Sequence, residues 1–430
     1  MDVIQRGAPP LGLPGNLPGG WMWRARAAST SKKHYLMLSI WFCFIVVSCF
    51  YVFPSGNPQP GDAIFLILAA LAFSGVSVTI RNFQNLYLAC ALFLAVVTLV
   101  NLAWWIVYYE LRFLMSTIFY TYNLMMLITV ANLFANMPDQ LAKITRYGVL
   151  ACLFIEVVFV VFVGSSHNSR AIGTFNNPNQ LGYWALISCS VWLVTKRDEA
   201  IGVIDALAGA MFVFLVLESL SKAALVGVAM LIIFALFFQR MKGSHVLASF
   251  VGCMIVVTIA LFIPFFQNAM SDFFANFFAD GFGSELISRF ESVEEARERD
   301  LAHRGYDRIF EYPEHLILGS GEGAFHRFTI TMTKDIEFHS IWGTIIYGYG
   351  IAGTLTFFGL LYVVFRQAPL RHFVYFLPMA AYGLTHQGLR FSFLWIFFGM
   401  VFGLAQARRP TAPPVVRIPP PSAQAFDATP

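Results

Sequence analysis

The residues of this chain best suited to chemistry are a few cations and one imidazole, spread over three short polar segments. The first segment is Arg170-Ala-Ile-Gly-Thr-Phe-Asn-Asn-Pro-Asn179. Gly173 and Pro178 punctuate it, and either Asn179, or Asn177 with Pro178 at the first helical position, is suited to cap a helix. One reading is a capped helix start and nothing more. The other is a helix N-terminus that joins Arg170 to make an anion site. The second segment, Ser219-Leu-Ser-Lys222, is a tight hairpin in which Lys222 is either a snorkelling anchor or a phosphate contact.

The third segment is longer. Arg304 and Arg308 are four apart and are expected to share a helical face. Gly319-Ser-Gly-Glu-Gly323 follows. It lacks the Lys-Ser/Thr ending of a phosphate loop, so it reads as a turn. Glu337-Phe-His339-Ser340 then stands at the mouth of an apolar run. A lone histidine is more often a satisfied structural group, and His167, His303, His315, His326 and His386 fall on the same expected face. His339 is distinguished by its boundary position, by Glu337 and by the cations before it. Its neutral imidazole could take a proton from a hydroxyl. Arg289, Arg390 and Glu337 are secondary candidates.

Metal chemistry has little to stand on. Glu298-Arg-Asp300 lies in a charged, solvated stretch, and no HxxxH pattern occurs. All six cysteines sit inside apolar runs and read as small core residues, with no CxxC or zinc spacing.

The elements that must position these groups are membrane helices. Of 430 residues 58% are hydrophobic and 12% charged, against about 25% charged in soluble domains. Water would not tolerate so much apolar surface, and lipid would. The formal charge of +4 is too small to suggest nucleic acid. A span needs roughly 20 apolar residues. The expected fold is therefore an all-α polytopic membrane protein of about twelve transmembrane helices, at 35–53, 62–80, 84–108, 111–136, 144–163, 178–195, 200–218, 221–238, 245–265, 338–364, 373–387 and 390–405.

Residues 1–34 lack the apolar core and cleavage site of a removable signal and read as a disordered cytoplasmic N-terminus. Spans one to nine cover 35–265, a polar segment follows at 266–337, spans ten to twelve fill 338–405, and the Pro-rich tail 406–430 reads as disordered. Within the polar segment, 284–301 has helical spacing. With Arg24, Arg26, Lys32 and Lys33 inside, alternate loops carry Arg81, Lys143, Arg146, Lys196, Arg197, Arg240, Lys242, Arg366 and Arg371. The positive-inside rule then puts both termini in the cytoplasm and the long segment outside. Arg112, Arg170, Lys222 and Arg390 remain on the outer face, where topology does not call for them. Snorkelling would explain any one of them, and an anionic ligand would explain the set.

Taken together, these pieces resemble the O-antigen ligase and O-antigen polymerase superfamily of bacterial C-type membrane glycosyltransferases. Arg170, Gly173-Thr174-Phe175 and Asn177-Pro178-Asn179 match one family pattern. Ser221-Lys222 stands where the family has Ser-Arg. Arg304 and Arg308 precede Leu316-Ile-Leu-Gly-Ser-Gly321, without the family's proline. His339-Ser340, where the family has His-Asn, is followed by Gly350 and Gly353. The resemblance covers roughly 35–405 in layout. It implies transfer of a glycan from undecaprenyl pyrophosphate to a sugar hydroxyl at the periplasmic face of the bacterial inner membrane, without cofactor or metal. The acceptor would be a second lipid-linked glycan or the lipid A core, and we favour the polymerase reaction. Arg170, Lys222, Arg304 and Arg308 would hold the diphosphate, His339 would act as base or orient the acceptor, and Gly173, Asn177, Pro178 and Asn179 would shape the loop. The competing class is a lipid-linked glycan flippase or another transporter, which would rely on an embedded carboxylate such as Glu156.

Overall fold

The computed structural model describes residues 20–54, 56–74, 80–81, 83–163, 170–196, 198–239, 304–328 and 337–408, with side chains of the first helix from residue 32 onward. The expected ninth span at 245–265, the stretch 284–301, Arg289, His167, His303 and most of the C-terminal tail lie outside the described residues.

Among the described residues the chain is 76% helical and contains no strand. The helices are α1 (Gly20–Val47), α2 (Pro60–Phe73), α3 (Gln84–Tyr108), α4 (Arg112–Asn136), α5 (Pro138–Val163), α6 (Pro178–Lys196), α7 (Val203–Ser219) and α8 (Lys222–Phe238). After the undescribed stretch come α9 (Arg308–Glu311), α10 (His315–Leu318), α11 (Ile341–Phe365), α12 (Leu370–Val374), α13 (Leu377–Tyr382) and α14 (Ser392–Ala407). Among the described residues four helices, α3, α4, α5 and α11, are long and apolar enough to cross a membrane. On α3 the exposed residues Leu88, Leu92, Leu99, Leu102 and Ile106 recur at helical spacing, whereas Leu86, Cys90, Phe93 and Val97 are buried. A stripe of exposed leucines is stable in hydrocarbon and not in water.

The centre of the bundle is α14, buried along nearly its whole length against α4. Gly399 and Gly403, one turn apart, let the two backbones touch. A Cβ at Gly399 would lie 2.7 Å from the Leu127 carbonyl oxygen, and one at Gly403 would lie 2.6 Å from that of Ala131. Small residues at this spacing are how helices pack closely in lipid, where no hydrophobic gradient drives association. Around this pair α3 packs on α11, α1 on α5, and α6 on α7. Trp41 donates to Thr145 Oγ1 at 2.8 Å to pin α1 to α5.

The bundle has two chemically distinct ends. At one, Arg146 pairs with Glu199, Lys196 with Asp205 at 2.8 Å, and Arg371 with Asp198 at 2.9 Å. These cations belong to the loops expected to face the cytoplasm. The opposite end gathers the loops around residues 51–62, 170–180, 304 and 337–340, together with 383–392.

Three expectations about elements need correction. Residues 20–34, expected to be disordered, are helical; beyond Pro18 this stretch holds no proline and carries Ala, Arg and Lys, which favour helix. The expected span at 373–387 is instead two short helices, α12 and α13, followed by an irregular loop. Pro378, lacking an N–H to donate, starts the second of them. Arg304 and Arg308 do not share a helical face, because Gly305 adopts φ +84 and α9 begins only at Arg308.

Candidate functional site

The site rests on two irregular segments packed into the bundle, and several backbone groups of each are hydrogen-bonded by the chain. The first is the loop 170–177 before α6. Thr174 donates from both its N–H, at 3.0 Å, and its hydroxyl to the buried Glu156 carboxylate of α5. Gly173 has φ +58, and a Cβ there would sit 2.1 Å from Glu156 Oε2. The carboxylate therefore occupies the space that only a glycine leaves open. Asn177 Oδ1 accepts from the Gln180 N–H at 3.0 Å, capping α6 with Pro178 at its first turn. Arg170 donates to the Ser219 carbonyl at 2.9 Å and to Asn179 Oδ1 at 2.8 Å, tying this loop to the hairpin between α7 and α8.

The second segment explains Gly319-Ser-Gly-Glu-Gly323. Helix α11 is not continuous: residues 344–348 form a π turn, and Gly350 has φ +62 and ψ −160. The break exposes carbonyls that hydrocarbon would not solvate. Ser320 and Gly321 donate to the carbonyls of Tyr347 and Gly348, at 3.0 and 2.8 Å. A broken helix at membrane depth is stable only when protein re-satisfies the freed groups in this way. Trp104 of α3 donates to the Gly319 carbonyl at 2.9 Å, fixing the inserted strand of chain from the other side.

This insertion carries Glu322 into the interior, where it is 5% exposed. Tyr120 and Tyr349 donate to its Oε1, at 2.7 and 2.5 Å, and Arg390 donates to its Oε2 at 2.6 Å. Arg390 also pairs with Glu337 at 2.9 Å and lies over the Phe119 ring. Two carboxylates on one guanidinium hold its fork in a fixed plane.

Beside Arg390 opens a cavity of about 750 Å³, a size that accommodates organic ligands. It is lined by the cations Arg304 and Arg390 and by His339, Glu337 and His386. Asn177, Asn179 and Gln180 of the α6 start, and Asp62 and Tyr122 from α2 and α4, also line it. So do the aromatic side chains of Tyr51, Tyr183, Tyr382 and Phe391. On one side the wall is apolar: Leu66 of α2 and Ile118 of α4 line the cavity yet are 50% and 65% exposed. Apolar side chains of α2 and α4 thus reach both the cavity and the outer surface.

His339 is held by its own backbone and by its neighbour. Its N–H donates to the Arg304 carbonyl at 3.1 Å. Ser340 caps α11 by accepting from the Gly343 N–H at 3.0 Å, donates to the Gly383 carbonyl at 3.0 Å and accepts from Tyr306. The imidazole surface faces the cavity, but the surrounding protein takes it partly out of bulk water. That burial lowers its pKa, Glu337 raises it in part, and the Arg304 and Arg308 charges lower it further. The direction favours the neutral ring, the form that accepts a proton.

The expected site residues are therefore brought together unevenly. Arg304, Glu337, His339, Arg390, Asn177 and Asn179 line one cavity. Arg304 also donates to the Thr385 carbonyl, anchoring the loop before Arg390. Arg308 is 1% exposed and stacks over Phe328 and Phe325 at 4.7 and 5.6 Å. It does not line the cavity, whereas Glu337 lines both the cavity and a small void beside Arg308. Arg170 stands one residue contact away, behind Asn179. Lys222, at the start of α8, is half-buried and does not line the cavity, and neither does Arg112, which pairs with Glu110 at 3.5 Å. His315 is enclosed by the Trp104, Phe328 and Tyr347 rings, and His326 lies out by Glu110. Among the described residues no three His, Cys, Asp or Glu side chains cluster at metal-binding distance.

Asp62, Tyr122, His386 and Glu322 were not legible as site residues. Asp62 carried a signal nonetheless: Gln59-Pro-Gly-Asp62 is the pattern of a helix start with an acidic third residue, and the Gln59 N–H does donate to Asp62 at 2.6 Å. Glu322 had none, because its importance comes from a break in a helix distant in sequence. The chain was compared with protein-family models and with curated proteins, and it matches none of them.

Proposed function

We propose that this chain is a membrane glycosyltransferase that moves a glycan from a polyprenyl diphosphate, undecaprenyl pyrophosphate, to a sugar hydroxyl. One observation carries the reading: a single cavity is lined both by Arg304, Arg390 and His339 and by Leu66 and Ile118, two apolar side chains with exposed surface. A lipid diphosphate needs both features at once, cations for its head and an apolar slot for its chain. The lipid would lie against Leu66 and Ile118 with its diphosphate near Arg390 and Arg304, whose planar forks suit phosphate oxygens. Arg308 would act from behind, through its charge and through Glu337. Arg170 would act by orienting Asn179.

In the reaction the acceptor hydroxyl oxygen attacks the anomeric carbon of the donor. The new glycosidic bond forms as the bond from that carbon to the diphosphate oxygen breaks. The hydroxyl proton passes to His339, and undecaprenyl pyrophosphate leaves with the electron pair, its charge met by the arginines. Exclusion of bulk water strengthens each of these contacts. The site would face the periplasm of a bacterial inner membrane, with a lipid-linked glycan as the favoured acceptor and the lipid A core as the other. A transporter would lean on Glu156, whose two oxygens are already engaged by Thr174.

Arg304→Lys tests the reading in purified protein. It keeps the charge and loses the fork, and transfer from undecaprenyl-pyrophosphate-linked glycan is expected to fall about tenfold or more. Transfer at the wild-type rate would remove Arg304 from the diphosphate site, and no transfer by the wild type from any lipid-linked glycan would remove the function.

A further inference from the structure

The cavity has a second chemical character that diphosphate binding does not use. Asp62 lines it from α2. Each of its oxygens has one partner: Tyr122 donates to Oδ1 at 2.7 Å, and the Gln59 N–H donates to Oδ2 at 2.6 Å. An ionised carboxylate accepts about four hydrogen bonds, so roughly two positions remain for a ligand. The loop that presents it is braced, because the Gln59 side chain donates to the carbonyls of Phe53 and Asn57, at 2.9 and 3.0 Å, and accepts from the Phe53 N–H.

A continuous set of rings leads from this carboxylate back to the cationic wall. Tyr51 lies within electrostatic reach of Asp62 and is parallel to Phe391, with centroids 6.2 Å apart. Phe391 neighbours Arg390 in sequence and approaches Tyr183 at 5.5 Å. Tyr183 is 3% exposed, lines the cavity and stacks on Tyr382 with centroids 4.2 Å apart.

An anion is unsuited to this wall, because a second negative charge beside Asp62 in a cavity shielded from water is repelled. What fits is a neutral ring with several hydroxyls, donating to a carboxylate while its C–H bonds lie on aromatic faces, whose negative quadrupole attracts them. We propose that Asp62, Tyr51, Tyr183 and Phe391 form a pyranose-binding subsite in the cavity that Arg304, His339 and Arg390 also line, so that one sugar hydroxyl or the anomeric carbon is presented toward His339. This rests on the glycosyltransferase reading, and it assigns the sugar end of the cavity. The pyranose could belong to the donor glycan or to the acceptor glycan, and both offer the same chemistry.

Asp62→Asn separates the possibilities. The variant keeps the shape and one acceptor oxygen and loses the charge. Transfer is measured while each glycan in turn is varied, and direct binding is measured with sugar-free undecaprenyl pyrophosphate. The KM for one glycan is expected to rise about tenfold, the size of losing one or two hydrogen bonds to a charged group. Binding of sugar-free undecaprenyl pyrophosphate should stay within about twofold of wild type. A rise in the donor KM assigns the subsite to the donor sugar, and a rise in the acceptor KM assigns it to the acceptor. Unchanged KM values for both glycans, or an equal loss of sugar-free diphosphate binding, would overturn the subsite while leaving the enzyme intact. If Asp62→Asn does not fold, Tyr51→Leu removes a ring from the same wall and is expected to raise the same KM, and its failure to do so counts equally against the proposal. A wild type that neither binds sugar-free undecaprenyl pyrophosphate nor transfers would instead remove the function beneath it.

Discussion

Replacing His339 with alanine is expected to lower glycan transfer by about 10²- to 10⁴-fold, the usual contribution of a positioned general base. The protein should keep its thermal unfolding and its binding of undecaprenyl pyrophosphate. The ring sits at the cavity wall, and its backbone is fixed independently of it: the N–H bonds to Arg304 and the next residue caps α11. Loss of the imidazole therefore removes a proton acceptor and little else. A pH profile sharpens the test. Burial in the cleft wall, with Arg304 and Arg308 adding to it, depresses the His339 pKa. The wild-type rate should thus rise with pH through a midpoint below the ordinary value of about 6.5 and then level off. The alanine variant should lose that acidic limb. A limb that persists unchanged would assign the titration to another group, with His386, on the same wall, the first to examine.

The second large effect concerns architecture. Gly350→Ala is expected to destabilise the protein by at least about 3 kcal/mol and to abolish transfer with it. The backbone there has φ +62, and a Cβ would lie 2.4 Å from the Ile317 carbonyl oxygen and 2.7 Å from the Gly319 N–H nitrogen. Both obstacles are backbone, so no side-chain adjustment relieves them. Moving the 317–321 segment would free the Tyr347 and Gly348 carbonyls and withdraw Glu322 from Arg390. Gly359→Ala, on the same helix, is the control. Nothing lies within 4 Å of a Cβ there, and the change should be neutral or stabilising by about 0.5–1 kcal/mol. Thermal unfolding in detergent distinguishes the two. Equal melting temperatures would mean that the break in α11 is dispensable.

What was legible in the sequence depended on range. Long apolar runs announced themselves: the span expected at 84–108 is helix α3, Gln84–Tyr108, because its boundaries are set by local composition. Asn177-Pro178 announced the start of α6 for the same reason, a cap and a ring that act within one turn. The interruptions were less legible. Gly305 separates Arg304 from Arg308, although four-residue spacing alone argues for one face. The insertion of Ser320-Gly321 into the break of α11 depends on two segments about thirty residues apart, and each reads as an ordinary turn or helix by itself. Asp62 was counted as the first residue of an apolar span, and only its bond to Tyr122 of α4 reveals that it faces a cavity. Cations were recognised by type, but their roles were not. Arg308 is buried against rings, whereas Arg390, of secondary rank by motif, is the guanidinium held between Glu322 and Glu337 at the cavity wall.

Everything functional rests on guanidinium groups meeting a lipid-accessible slot in one cavity. The most direct measurement is binding of undecaprenyl pyrophosphate, compared with undecaprenol, to the purified protein in nanodiscs. The expected result is that the diphosphate lipid binds at least about tenfold more tightly, and that Arg304→Ala and Arg390→Ala each erase most of that difference. Equal affinity for the two lipids, or a preference that survives both substitutions, would contradict it.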